Sequence, residues 1–160
     1  DGYADNYTNG FPILKQFGFK ATVFVITAAI DTDPKKLTSV QIKDMAANGI
    51  SIESHTVNHD DLTGLSYDEQ LAVLKSSKEQ IEGLTGKIVF CLAYPYGKYN
   101  RTAVKAVEEA GYQMAFTINP GYAYQSDGLF TLRRIRIDGT DNLSAFIYKL
   151  NFKNHKNYEK

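Results

Sequence analysis

Short apolar runs alternate along most of the chain with stretches in which apolar residues recur at helical spacing. The runs are rich in β-branched and aromatic residues, which is typical of strands. The predicted strands cover residues 21–26, 49–53, 88–93, 114–118 and 132–137. This alternation predicts an α/β domain. By itself the pattern does not choose between an open doubly wound sheet and a β/α barrel.

The helical stretches carry start and stop signals. Thr38 and Ser66 are each followed three residues later by Gln or Glu, the spacing of a capping box. Asn100 is a candidate N-cap for a further helix. The predicted helices cover residues 39–48, 67–84, 101–110 and 143–150. Residues 6–17 also have helical character, but Pro12 offers a later start for that helix, and the pattern leaves the boundary open.

Length and composition narrow the function classes. A chain of 160 residues suits a single domain, and its 18 basic residues equal its 18 acidic ones. This balance argues against nucleic acid or an anionic membrane as a partner and favours a neutral or weakly charged substrate. Cys91 is the lone cysteine, which excludes an internal disulfide, and its apolar surroundings predict a core position. No stretch is apolar enough over sufficient length to span a membrane.

Candidate chemistry follows two predicted strands, where both α/β architectures place their active sites. His55 and His59 lie four residues apart after the second strand, so one helical turn would let them share a divalent metal. Taken alone, such a pair is more often a surface or capping feature. Tyr94-Pro95-Tyr96-Gly97 follows the third strand and reads as a rigid turn. The same turn could aim a backbone amide at an oxyanion.

Three segments together resemble the polysaccharide deacetylases, carbohydrate esterase family 4, also called the NodB homology domain. Asp1-Gly2-Tyr3 is similar to the end of the family motif Thr-Phe-Asp-Asp-Gly, and the segments 54–59 and 93–97 are similar to its second and third motifs. The resemblance implies a distorted (β/α) barrel that lacks its first strand here. It implies a divalent metal, zinc before nickel, cobalt or iron, bound by Asp1, His55 and His59.

The remaining roles are also implied by the resemblance. The backbone amide of Tyr96 would bind the oxyanion, and Tyr94 and Pro95 would contact the substrate. The general base would be the residue before Asp1, which is absent from this sequence. Without the first strand, the 160 residues are expected to be less stable than the complete domain, and without the base they are expected to be close to inactive.

The sequence departs from the family pattern at two points. Ala93 stands where the family usually has the arginine that orients the base. Arg134 or Arg136 on the last predicted strand could replace it, although a solvated strand face explains both equally well. The family's late general acid has no convincing match, because His155 lies in a polar tail.

The resemblance implies hydrolytic removal of acetyl groups from N-acetylated sugars in an extracellular or cell-surface polysaccharide. An O-acetyl xylan esterase would use the same site, and a non-catalytic glycan-binding domain would keep the fold without turnover. A glycoside hydrolase ranks last, because it needs two carboxylates flanking a sugar bond. The catalytic domain is expected to cover residues 1–150 and a polar tail residues 151–160, while the oligomeric state stays open.

Overall fold

The computed structural model describes residues 1–151. The proposed tail therefore lies almost entirely outside the described residues, as does His155. The strands are β1 (Thr22–Val25), β2 (Ser51–Ser54), β3 (Cys91–Ala93), β4 (Met114–Pro120) and β5 (Leu132–Arg134). The α-helices are α1 (Phe11–Gln16), α2 (Ser39–Ala47), α3 (Tyr67–Thr85), α4 (Arg101–Glu109) and α5 (Leu143–Leu150).

The five strands form one parallel sheet in the order of their sequence, from β1 to β5. A doubly wound sheet reverses its strand order at a switch point, whereas neighbouring strands of a β/α barrel follow one another around the wall. The observed order is therefore that of a barrel wall. The C-terminal ends of neighbouring strands lie side by side, which brings the loops after β2 and β3 together.

The predicted helix starts are confirmed. Thr38 and Ser66 both complete capping boxes, and the side chain of Asn100 accepts a hydrogen bond from the amide of Ala103. Near the N-terminus, where the sequence does not decide the start of the helix, a π-helical turn at Asn6–Gly10 runs directly into α1. The helical segment thus begins before Pro12, because proline is tolerated in the first turn of an α-helix.

β3 is shorter than predicted because two backbone amides of the predicted strand donate to a buried carboxylate instead of to the neighbouring strand. Glu53, at 2% exposure, accepts hydrogen bonds from the amides of Phe90 (2.9 Å) and Cys91 (2.7 Å). Its other oxygen accepts from the hydroxyl of Ser51 at 2.7 Å. The ladder between β2 and β3 is consequently reduced to Ser54 opposite Leu92.

The core lies between the sheet and the helices that cover it. Leu74 and Ile81 of α3 and Val107 of α4 are fully buried against the strands. Cys91 is buried, as predicted. By contrast, α5 has no buried residue, and β5 is only half-buried within the described residues. The best-packed part of the molecule is therefore the part that carries the loops after β2 and β3.

Candidate metal centre and catalytic rim

His55 is the most constrained of the candidate ligands. It follows β2 directly, and its Nδ1 lies 2.7 Å from the carbonyl oxygen of Ala93 on β3. A carbonyl oxygen only accepts hydrogen bonds, so Nδ1 carries the hydrogen and Nε2 presents a lone pair. Burial lowers the pKa of His55 to about 3. The imidazole is therefore neutral at ordinary pH and available to bind a metal through Nε2.

His59 reaches the same point by a tight loop rather than by the helical turn considered from sequence. Thr56 and His59 both have left-handed backbone conformations, with φ of 66° and 62°. The hydroxyl of Thr56 accepts a hydrogen bond from the amide of Asp60 at 2.8 Å, which closes the loop. The rings of His55 and His59 lie edge to face with centroids 4.7 Å apart. Burial is the main reason that the pKa of His59 is lowered.

Asp1 completes the group from a different part of the chain. Its α-amino group donates a hydrogen bond to the carbonyl of Phe24 on β1 at 2.9 Å. Gly2 has φ of 66°, and a Cβ there would lie 3.0 Å from Val25 Cγ1, so this approach to β1 favours glycine. Asp1 Oδ1 lies 3.1 Å from Nε2 of His55 and 3.7 Å from Nε2 of His59.

The donor set fits a divalent cation. One ligand atom from each of Asp1, His55 and His59 lies within 4.8 Å of the others. The carboxylate oxygen and the Nε2 lone pair of His55 are both hydrogen-bond acceptors, yet they face each other. A cation between them would satisfy both. Two imidazoles and one carboxylate are a common ligand set for zinc and related metals.

The turn after β3 borders this centre. Pro95–Gly97 forms a single 3₁₀ turn, closed by hydrogen bonds from the amides of Gly97 and Lys98. Tyr96 has a left-handed backbone at φ 57°. A Cβ on Gly97 would lie 2.3 Å from Ile118 Cγ1, so only glycine fits there without movement. The Tyr96 ring is exposed and packs edge to face on His59 with centroids 4.4 Å apart.

Tyr94 and Pro95, which the resemblance assigns to substrate contact, are both buried in this turn. The Tyr94 side chain is 1% exposed and stacks on Tyr99, and Pro95 is also buried. Although Tyr94 lines the cavity, both residues are used mainly in packing, and the amide of Tyr94 donates to the carbonyl of Phe116 at 3.0 Å. Tyr96, between Pro95 and Gly97, is the exposed ring of this turn.

The two candidate arginines have separated positions. Arg134, the last residue of β5, lines the cavity beside the candidate metal ligands and donates from Nε to the carbonyl of Thr117 at 2.9 Å. Arg136 lies beyond the strand, highly exposed, and pairs with Asp138 at 2.7 Å. The expected strand to residue 137 ends at Arg134, so the strand alternation that would have aligned the two arginines stops there. A role for Arg136 at this site is not supported by its position.

The cavity at this rim has a volume of about 380 Å³. Its lining combines polar and apolar groups: Asp1, Gly2, Asn6, Thr22, Val23, Phe24, His55, His59, Ala93, Tyr94, Tyr96, Ile118 and Arg134. Sequence reasoning missed Phe24 and Ile118, which look like ordinary strand residues. It also missed Lys36, whose Nζ lies 3.9 Å from Asp1 Oδ2, because no motif includes it.

A second cavity, of about 370 Å³, lies elsewhere beside Gly49 and Lys87 and includes none of the candidate ligands.

Comparison with known proteins agrees with this geometry. The family model "Polysaccharide deacetylase" matches residues 1–115. The YxkH protein of Bacillus subtilis (strain 168), which carries a provisional polysaccharide deacetylase name, is 41% identical over 146 residues, or 91% of this chain and 52% of the relative. The poly-beta-1,6-N-acetyl-D-glucosamine N-deacetylase of Staphylococcus epidermidis (strain ATCC 35984) is 32% identical over 128 residues, or 70% of this chain and 43% of the relative.

Among solved structures, the Streptococcus pyogenes deacetylase PplD in complex with acetate superimposes with a TM-score of 0.89 at 35% identity. The match covers 93% of this chain and 66% of PplD. The barrel-type fold expected from sequence is therefore confirmed. The chain spans about half the length of the curated relatives that it matches. Over residues 1–151, no helix has the length and apolar character needed to cross a bilayer. The chain belongs to the polysaccharide deacetylase family.

Proposed function

We propose that this chain supplies the metal centre of an enzyme that hydrolyses acetyl groups from N-acetylglucosamine residues of a polysaccharide. The observation that carries the proposal is the convergence of Asp1, His55 and His59 at the strand ends, in a member of this family. The name of the Staphylococcus epidermidis relative specifies a β-1,6-linked N-acetylglucosamine polymer, and the PplD complex contains acetate, the expected product. Such a polymer also supports an extracellular or cell-surface site of action.

We assign the metal to Asp1 Oδ1 and to Nε2 of the two histidines. A divalent ion there, with zinc as the first choice, supplies a Lewis acid that acidifies water and polarises the acetyl carbonyl. The hydrogen bond from His55 Nδ1 to Ala93 keeps the Nε2 lone pair pointing at the centre. A histidine held in this way keeps its tautomer and ring orientation while the reaction proceeds.

The other residues act on the acyl group and on proton transfer. We assign the backbone amide of Tyr96 to the oxyanion, because the amides of Gly97 and Lys98, not that of Tyr96, close the turn. Arg134 lines the same cavity, and we assign to it the role of the arginine that the family usually has at the position of Ala93. The resemblance assigns the general base to the aspartate before Asp1 in the motif, and we propose that Arg134 orients it.

Acetate release from a β-1,6-linked N-acetylglucosamine oligomer tests the proposal. It is measured with the chain as given and with a version extended upstream of Asp1, each with Zn²⁺ and with excess chelator. We expect acetate from the extended version with metal and a much lower rate from the chain as given, since a general base contributes about 10²- to 10⁴-fold. Release that persists in chelator would contradict the proposal. Faster release from O-acetylated xylan would identify an esterase, and tight glycan binding without release a binding domain.

A further inference from the structure

Lys36 lies beside the metal centre without belonging to any motif. It precedes α2, in a segment that forms an antiparallel bridge with Tyr3. Its Nζ lies 3.4 Å from the centroid of the Tyr3 ring and 3.9 Å from Asp1 Oδ2. The side chain is only 11% exposed, although lysine side chains are normally solvated. The surroundings of this ammonium group therefore need an explanation.

Removing an ammonium group from water is costly unless other groups replace the lost hydration. Tyr3 provides the face of an aromatic ring, which attracts cations. Among residues 1–151, Asp1 provides the carboxylate within ion-pair distance of Lys36. Both partners belong to the N-terminal segment, so the ammonium group of Lys36 faces Asp1 and Tyr3 and is largely removed from bulk solvent.

The backbone keeps the two sides of this contact in register. The amide of Leu37 donates to the carbonyl of Gly2, and the amide of Ala4 donates to the carbonyl of Lys35, both at 2.8 Å. The main chain next to Asp1 is thereby held against the main chain next to Lys36. The side-chain torsion of an aspartate is nevertheless broad, so a fixed backbone does not by itself orient the carboxylate.

The two oxygens of Asp1 have different neighbours. Oδ1 faces Nε2 of both histidines, whereas Oδ2 faces Nζ of Lys36. We propose that Lys36 is a positioning residue that acts through Asp1, holding Oδ2 so that Oδ1 remains directed at the metal. This role deepens the proposed function and depends on the metal centre described there.

Positioning and simple electrostatics predict opposite effects on metal affinity. If Lys36 acted only as a positive charge, its removal would relieve repulsion and a divalent cation would bind more tightly. If Lys36 orients the carboxylate, its removal releases a ligand and the cation binds more weakly. Loss of a group that orients a metal ligand typically costs about 10- to 100-fold in affinity. The direction of the change therefore distinguishes the two roles.

The experiment measures Zn²⁺ affinity by competition with a chelating indicator for the wild type, Lys36→Met, Lys36→Arg and Lys35→Met. Lys35 is the matched control, because it is the adjacent lysine, is exposed and forms no ion pair within the described residues. We expect about 10-fold weaker binding for Lys36→Met, near-normal affinity for Lys36→Arg and no change for Lys35→Met. The visible spectrum of bound Co²⁺ should change in Lys36→Met alone, since it reports on the ligands around the ion.

Thermal unfolding of the metal-free proteins checks that the variants are folded. If Lys36→Met does not fold, Tyr3→Leu replaces it, with Tyr3→Phe as the control that retains the ring over Lys36. Tyr3→Leu should weaken Zn²⁺ binding in the same direction. Equal or tighter binding by the folded variant overturns the positioning role alone. A wild-type protein without Zn²⁺ affinity overturns the proposed function, and the role of Lys36 with it.

Discussion

Two loops at the same edge of the sheet differ in which of their side chains are buried and which are exposed. The histidine loop (residues 55–61) follows β2, and His55 and Thr56 within it are buried. The tyrosine loop (residues 94–98) follows β3 and exposes the ring of Tyr96 above a buried base of Tyr94 and Pro95. Both loops line the same cavity, the first with His55 and His59 and the second with Tyr94 and Tyr96. The first loop thus offers candidate metal ligands, whereas the second offers an exposed aromatic ring.

Both loops contain left-handed residues other than glycine, which is an uncommon and strained conformation. In the histidine loop, the strained Thr56 is tied down by its own polar groups. Its amide donates to Ser54 Oγ at 3.2 Å, and its hydroxyl accepts from Asp60. In the tyrosine loop, the strained Tyr96 is followed by Gly97, which packs closely on Ile118. Hydrogen bonds of the Thr56 hydroxyl and amide support the first loop, whereas the second adds the close packing of Gly97 to its backbone hydrogen bonds.

The largest expected effect comes from removing a ligand of the histidine loop. His55→Ala should weaken Zn²⁺ binding by more than about 100-fold, beyond the usual cost of losing a group that only orients a ligand. In the version extended upstream of Asp1, acetate release should fall in parallel if the metal activates the water as proposed. Isothermal titration with Zn²⁺ and an acetate assay measure the two losses. Stoichiometric, undiminished metal binding by a His55→Ala, His59→Ala double variant would refute the ligand assignment.

Gly97→Ala tests the packing that supports the tyrosine loop. The added Cβ meets Ile118 and must adopt φ of 67°, so we expect a loss of about 1–3 kcal/mol in the free energy of unfolding. Denaturant titration measures this loss. Gly64→Ala is the control, because Gly64 has no atom within 4 Å of an added Cβ and no left-handed φ. Equal stabilities of the two variants would show that Gly97 is not required by packing.

Tyr96→Ala separates the ring from the amide in the tyrosine loop. The substitution keeps the backbone amide, so kcat/KM of the version extended upstream of Asp1 should fall by less than about 100-fold, the lower limit for loss of one oxyanion donor. Tyr124→Ala provides the control, since Tyr124 is similarly exposed (56% against 57%) and does not line the cavity. A larger fall for Tyr96→Ala, with metal affinity intact, would assign the catalytic contribution to the ring.

The smallest expected effect concerns the link between the loops. Lys98 Nζ lies 2.7 Å from Asp61 Oδ2, and this hydrogen bond is the main reason that the pKa of Asp61 is lowered to about 2. A carboxyl group with a lowered pKa stabilises the fold above its ordinary value of 3.8, and this contribution is lost as pH falls toward 2. The pair is exposed, so the effect should be small.

The measurement compares the denaturant midpoints of wild type and Asp61→Asn over acidic pH. We expect the wild type to be slightly more stable at about pH 5 and the difference to disappear as the pH approaches the lowered pKa. Lys98→Met should reduce the pH dependence of that difference, and the hydrogen bonds from Thr63 to Asp61 should preserve the remainder. A difference that grows as the pH falls would have the wrong sign for this ion pair.

Sequence reasoning worked best where the signal is local. The capping boxes at Thr38 and Ser66 depend on residues three positions apart, and both are present. The prediction for residues 88–93 failed in part because Glu53, distant in sequence, takes the first amides of that segment. The sequence could not choose between Arg134 and Arg136 for a similar reason. The point at which β5 ends decides which arginine borders the cavity.

The sequence by itself determined the alternation of strands and helices, because periodicity is a local property. It also determined the motifs that contain Asp1, His55 and His59, because motif spacing is local as well. Only the tertiary structure decided how the ligands meet. The Ala93 carbonyl on the neighbouring strand orients the lone pair of His55. One carboxylate oxygen of Asp1 faces the histidines, and the other faces Nζ of Lys36. These contacts join residues far apart in the chain, so their geometry exists only once the strands have paired.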